Sequence, residues 1–497
     1  MRRLLLALVL PGAMAATPAA EPVLPATPAA WQAAAMRDIA AGYEVTLAKH
    51  AGALDPHNPA FTADLAKARD HGLALAARVT NAQGYAAALQ GFTVRIHDGH
   101  AGLRERFDLA ASVPPRWPGF VAAWRGDLFV YAAEGDAARA GERIVSCDGR
   151  TARQLMEDNV FAFQGRSDEA GQWWSEAPYL FSDTHNPFVA RPQRCVFEQA
   201  GRRVTRELHW RPATAQARTW QEGTMTADTL PVGLTEPRPG LFWMAMPTFK
   251  PNDAERAAYH AVRTRIATGR DAFLRAQAVV VDLRRNSGGN STWSRDFAMA
   301  LWGEDRVRRR AAAATRDERT WYRASAGNIA HYRQARDMFQ AQGETATVRL
   351  LEEIGTGMLA AQAAGQPYWI KGDAGDDAPP PPADPASDQP GDPAPFTRPV
   401  YVIVPGDCAS ACLDAVDVFK LFANTKLVGA PSSADSTYMD VRRQELPGGL
   451  ARVLVPTKLY VNRPRGNGQF YRPDIPVTTV QWNRADFQRV IEDDLKR

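Results

Sequence analysis

The chain has 497 residues, 45% of them apolar and 23% charged. That is the balance of an ordinary globular protein and excludes a disordered, collagenous or coiled-coil chain. The formal charge of +4 falls near +2 once Arg2 and Arg3 are set aside, too small an excess to mark a nucleic-acid partner or a membrane surface.

At roughly 150 residues per domain, the length predicts about three domains. The first residues combine basic Arg2 and Arg3, an apolar stretch from Leu4 to Leu10 and the small-x-small run Ala13-Met14-Ala15. This pattern predicts a signal peptide over 1–15, with export across the inner membrane to the periplasm. An Ala/Pro-rich flexible leader is expected over 16–30. No later segment approaches ~18 consecutive apolar residues, so no stable membrane insertion is expected.

Residues 31–113 read as an N-terminal helical domain. Met36, Ile39, Ala40 and Tyr43 recur at helical spacing, as do Leu65, Ala68, Leu73 and Ala76, with a break at Pro56, Asn58 and Pro59. The alternation in Phe92-Thr93-Val94-Arg95-Ile96-His97 predicts a strand with His97 on its polar face. It leads into the turn Asp98-Gly99-His100.

Residues 114–215 read as short strands and turns. Phe120 to Trp124, Leu128 to Ala133 and Arg143 to Ser146 are strand-like, and a tight Asp148-Gly149 turn precedes a helix from Ala152. A hairpin follows, from Arg194 to Gln199 and from Val204 to Trp210. The run Ala140-Gly141-Glu142-Arg143-Ile144-Val145-Ser146-Cys147-Asp148-Gly149-Arg150 resembles a PDZ domain, which implies binding of extended peptides at a sheet edge.

From Gly240 the pattern alternates strand and helix, which predicts an α/β core. Its first part spans 216–302 and includes the continuous apolar strand from Ala278 to Leu283, typical of a sheet covered on both faces. A helical and Pro-rich insertion is expected over 303–399, with Gly372 to Pro395 as a disordered loop. The second part, 400–497, opens on the strand Val400 to Val404, with a helix from about Ser410 and a short strand at Leu427-Val428-Gly429.

The four cysteines are even in number, as in an exported chain with two disulfides. Cys147–Cys195 and Cys408–Cys412 are the expected pairs, because each lies within one proposed domain. Four reduced buried thiols are the alternative, and Cys408 or Cys412 is then also a candidate thiol nucleophile. There is no metal-ligand spacing and no dinucleotide fingerprint, so no cofactor is expected.

Three segments carry chemistry. Asp282-Leu283-Arg284-Arg285-Asn286-Ser287-Gly288-Gly289-Asn290 ends a buried strand in paired glycines, which leave backbone N–H groups open to a reacting oxygen. In Gly406-Asp407-Cys408-Ala409-Ser410-Ala411-Cys412, a serine between two alanines marks a strand-to-helix turn, where the helix dipole favours negative charge. The same serine is also an ordinary helix N-cap candidate. His100, in the Asp-Gly-His turn, is the candidate base.

Together these motifs resemble the S41 serine peptidases of the C-terminal-processing and tricorn-core type. Gly429-Ala430-Pro431-Ser432 and Pro473-Asp474-Ile475-Pro476-Val477 extend the likeness. The resemblance implies an α/β core of crotonase/ClpP-like type and hydrolysis of peptide or unfolded-protein substrates through an acyl-enzyme. The Ser–Lys subtype places its lysine about 25 residues after the serine, and Asp435 stands there, so the tricorn-like Ser/His variant is the better match. It implies Ser410 as nucleophile, His100 as general base, and Ala411 with Gly288 or Gly289 as oxyanion hole. The run before Pro473 lacks the family's usual acid, which leaves Asp98, Asp414 and Asp435 as candidates to support the histidine. A catalytically weak or inactive S41-fold protein that binds peptides or hydrophobic ligands is the alternative reading.

Overall fold

The computed structural model describes residues 22–109, 113–371, 389 and 391–497. The signal-peptide reading, residues 16–21 of the leader and most of the Pro-rich loop lie outside the described residues.

Three helices open the chain: Pro28–Lys49, Phe61–Ala76 and Ala82–Val94. Pro28 occupies the first turn and Thr27 caps it through its side-chain oxygen, the arrangement that proline favours at a helix start. The third helix corrects the strand expected at Phe92 to His97. Tyr85, Leu89 and Phe92 are buried at helical spacing, and the helix continues through Val94. Gly91 allows the close packing, since a Cβ there would lie 2.4 Å from Leu75 Cδ1. Burial along this face outweighs the local β-propensity of Thr93 and Val94. His97 is an exposed turn residue with φ 57°.

Residues 120–207 form a six-stranded antiparallel sheet, ordered Phe120–Trp124, Leu128–Ala133, Arg143–Cys147, Arg194–Gln199 and Arg202–Glu207, with Arg150–Thr151 paired to the third strand. Cys147 and Cys195 face each other in register and are disulfide-bonded. The helix Ala170–Glu176 leaves this unit and packs on the α/β core, where a Cβ on Gly171 would lie 2.5 Å from Gly406 O.

The core is a second six-stranded sheet, ordered Gly233–Arg238, Leu241–Ala245, Ala278–Asp282, Val400–Val404, Thr425–Gly429 and Ile475–Pro476. The first pair is antiparallel and the rest are parallel. Every residue of Ala278–Asp282 and Val400–Val404 is buried, because helices such as Ala411–Lys420 cover one face and the other shares a core with the C-terminal helix Arg484–Leu495 and the antiparallel unit. Each buried Val contributes roughly 1.5–3 kcal/mol. The helical segment after Asn252 divides at Gly269 into Asp253–Thr268 and Arg270–Leu274.

The segment after Trp302 contains more than helices. Besides Glu304–Ala314, Ala326–Ala341 and Thr345–Ala363, it supplies the strands Arg319–Arg323 and Tyr368–Ile370. These join Gly102–Glu105, Tyr438–Glu445 and the long strand Ala451–Val461 in a third sheet. That sheet packs on the N-terminal helices, which brings the start of the chain beside its C-terminal third. No helix among the described residues is long and apolar enough to cross a membrane.

Candidate active site

The strand Val400–Val404 runs down the middle of the core sheet and ends at Pro405. The chain then turns, and the helix Ala411–Lys420 begins. Its apolar face, Cys412, Ala415, Val416 and Phe419, is buried and fixes the start of the helix under the sheet edge. Ser410 stands at the turn with φ 54° and ψ −126°. A non-glycine residue held in such a conformation stores roughly 1–3 kcal/mol of strain, a cost met mostly at functional sites. The serine occupies the cap position, yet its side chain makes no capping bond, so the N-cap role does not account for it. The Cys408–Cys412 disulfide clips the turn from both sides.

The glycine loop lies directly against this serine. A Cβ on Gly288 would fall 2.9 Å from Ser410 Cβ, 2.9 Å from Ala409 O and 3.2 Å from Ala411 N. Gly288 has φ 105° and Gly289 φ 136°, values open to glycine and strained for other residues. Buried polar bonds shape the loop. Asp282 receives Arg284 through both carboxylate oxygens and also Trp243 Nε1, and Asn286 Nδ2 donates to Met246 O at 2.8 Å. Gly288 N–H donates to Asn286 Oδ1 at 3.0 Å. The N–H groups of Gly289 and Ala411 meet no acceptor among the described residues.

The Asp-Gly-His turn enters from the N-terminal domain. Asp98 is buried, and its carboxylate accepts from His50 Nε2 at 2.9 Å, Ser436 Oγ at 2.7 Å and His100 N at 2.9 Å. Gly52 N–H donates to His50 Nδ1 at 2.8 Å; that ring nitrogen therefore accepts, and the proton lies on Nε2, facing Asp98. Burial alone would raise the Asp98 pKa, but the His50 bond, the neighbouring imidazoles and Ser436 outweigh it and hold the carboxyl below its ordinary range. His100 Nδ1 is buried without a hydrogen-bond partner, 3.8 Å from Asp98 Oδ1.

A single stretch, 432–436, gathers these parts. Ser432 N–H donates to Tyr471 O, and Tyr471 N–H donates to Ser432 Oγ. Ser433 Oγ and Ala434 N donate to Glu169. Asp435 accepts the Ser410 N–H at 2.7 Å. Ser436 holds Asp98. The serine turn and the histidine turn thus dock on adjacent residues of one segment, although no hydrogen bond joins the Ser410 hydroxyl to the His100 ring.

Of the three candidate supporting acids, Asp98 lies beside His100. Asp435 is engaged by Ser410 N–H. Asp414 pairs with Arg463 at 2.6 Å and Arg465 at 3.3 Å. Both expected disulfides are present, so Cys408 and Cys412 are not free thiols. In the late motif, Asp474 accepts Leu427 N–H at 2.7 Å and fastens the edge of the sheet. Sequence reasoning missed His50 and Glu169, which lie far along the chain from the groups they hold; only the run of small polar residues at 432–436 hinted at a docking segment.

A buried parallel sheet delivering a strained serine against a glycine loop defines a serine-type peptidase. Residues 244–477 match the model of Peptidase family S41. The matched stretch holds the glycine loop, Ser410 and the 432–436 segment, whereas His50, Asp98 and His100 precede it. Among solved structures, the chain is similar to mature CPAF complexed with lactacystin, with 12% identity, TM-score 0.59, and 93% of this chain and 99% of that one covered. It is also similar to a serine-to-alanine mutant of CPAF, with 11% identity, TM-score 0.61, and 94% and 98% covered. These likenesses extend the shared fold well beyond the matched family region. No curated protein matches the chain.

Proposed function

We propose that the protein is an exported serine endopeptidase in which Ser410 attacks the peptide carbonyl and His100 takes the hydroxyl proton. His100 passes that proton to the leaving amine as the acyl-enzyme forms, then takes a proton from the attacking water and returns it to Ser410 Oγ as the acyl bond breaks. The observation that carries this reading is the strained Ser410 turn, with its hydroxyl free of any capping bond and Gly288 packed against it. The free N–H groups of Ala411 and Gly289 serve as the oxyanion donors, since that of Gly288 is engaged by Asn286. The docking of both turns on 435–436 supports the Ser/His pairing. Catalytic hydrogen bonds are often loose without substrate, so substrate binding is the step that closes the gap between the ring and the hydroxyl.

The sheet of residues 120–207 is the PDZ-like unit in this reading. Its last strand, Arg202–Glu207, is a largely exposed edge, suited to pairing with an extended peptide. Two disulfides support an oxidising compartment such as the periplasm.

A fluorophosphonate probe tests the proposal. The adduct is expected on Ser410, and Ser410→Ala is expected to lose both labelling and peptide hydrolysis. Hydrolysis by Ser410→Ala at the wild-type rate would remove the mechanism.

A further inference from the structure

A cleft of about 620 Å³ opens between the helices Ala170–Glu176 and Ala215–Thr226 and the two catalytic loops. It touches both catalytic segments, because its lining includes Asp407, just before Ser410 in the nucleophile turn, and Arg285, just before Gly288 in the glycine loop. Its wall is fixed to the turn. A Cβ on Gly406 would lie 2.5 Å from Trp174 Cβ and 2.7 Å from Gly171 O, so the helix and the nucleophile turn form one rigid surface.

The chemistry of the lining is unbalanced. Glu176, Glu222 and Asp407 face the cleft against Arg285 alone. Arg285 is exposed and forms no ion pair with them among the described residues. Asp407 Oδ1 is shut off from solvent and meets no hydrogen-bond partner, a costly state for a carboxylate oxygen unless a ligand completes it. Burial, with the Glu176 charge adding to it, pushes Asp407 up to about 6, and burial pushes Glu176 up as well. Glu176 accepts from Gln164 Nε2 and Ser175 Oγ, and neither carboxyl forms an ion pair among the described residues. Tyr179 and Met225 add an apolar wall, which suits the aliphatic stem of a long basic side chain.

We propose that this cleft receives the Lys or Arg side chain of the peptide substrate, with Asp407 and Glu176 facing its cation. The inference rests on the serine-peptidase reading and names the substrate class of that site. Binding to Ser410→Ala protein tests it without turnover. Three acetylated pentapeptide amides, alike except for a central Lys, norleucine or Glu, are titrated by calorimetry. The Lys peptide is expected to bind at least tenfold more tightly than the norleucine peptide, and the Glu peptide most weakly. Asp407→Asn and Glu176→Gln, added to Ser410→Ala, are each expected to shrink the Lys preference.

Equal affinity for Lys and norleucine, tighter binding of Glu (an anion held by Arg285), or no binding of the Lys peptide would overturn the inference. The comparison on the unaltered cleft decides it even where a cleft variant fails to fold. Fluorophosphonate labelling of wild-type Ser410 without a Lys preference refutes the cleft assignment alone. A Lys preference without labelling refutes the acyl-enzyme reading alone.

Discussion

The main-chain N–H of Ser410 donates to the carboxylate of Asp435 at 2.7 Å. Asp435 stands where the Ser–Lys members of the family carry their lysine, and here it holds the backbone of the serine turn. A charge-assisted bond of this kind contributes roughly 1.5–3 kcal/mol. Asp435→Ala is therefore expected to lower kcat about tenfold to hundredfold, and Asp435→Asn, which retains an acceptor, is expected to recover most of it. Equal loss in both variants would show that charge, rather than the bond to Ser410, is what matters at this position.

Gly288 packs directly against the Ser410 turn. With φ 105° and a Cβ that would fall 2.9 Å from Ser410 Cβ, Gly288→Ala displaces the serine turn. Loss of fluorophosphonate labelling together with retained helix content in circular dichroism is the expected outcome. A fully active Gly288→Ala enzyme would mean that the two loops separate freely.

The disulfides separate stability from activity. On the chain-entropy view, Cys147–Cys195, 48 residues apart, stabilises by about 4 kcal/mol, and Cys408–Cys412, 4 apart, by about 2 kcal/mol. Replacing the first pair by alanine is expected to lower Tm the more. Replacing the second is expected to reduce turnover the more, because it frees the strained turn. Thermal unfolding and peptide hydrolysis, measured on both double variants, check the crossover.

Asp98 gives a pH signature. Its pKa is held below the ordinary carboxylate range, so its stabilising contribution is fully present above its unfolded value. That contribution is lost as pH falls through the folded value. Asp98→Asn is expected to cost about 2–3 kcal/mol at pH 7, and the gap to wild type is expected to narrow below about pH 4. Denaturant unfolding at both pH values measures it. A gap independent of pH would mean that the bonds from His50 and Ser436 do not depend on the charge.

The parts of the fold written in local pattern were legible in the sequence. The apolar runs at Ala278–Asp282 and Val400–Val404, the Asp148-Gly149 turn and the first two helices all form as their spacing predicts. Both cysteine pairs were legible from the domain boundaries. What escaped depends on partners distant in the chain. Thr93 and Val94 favour a strand locally, but the helix face that buries Tyr85, Leu89 and Phe92 carries them along. Strands Arg319–Arg323 and Tyr368–Ile370 exist because Ala451–Val461 anchors the sheet they join. His50 gains its role only when that third sheet folds the N-terminal helices onto residues 436–438. No local periodicity encodes such a meeting.

The rate of fluorophosphonate labelling in wild type and His100→Ala, with the adduct located by mass spectrometry, tests the Ser410–His100 partnership most directly. General-base assistance is worth about 10²–10⁴ in rate. Labelling confined to Ser410 and slowed by that order in His100→Ala is the predicted result; undiminished labelling without the imidazole, or an adduct elsewhere, would contradict it.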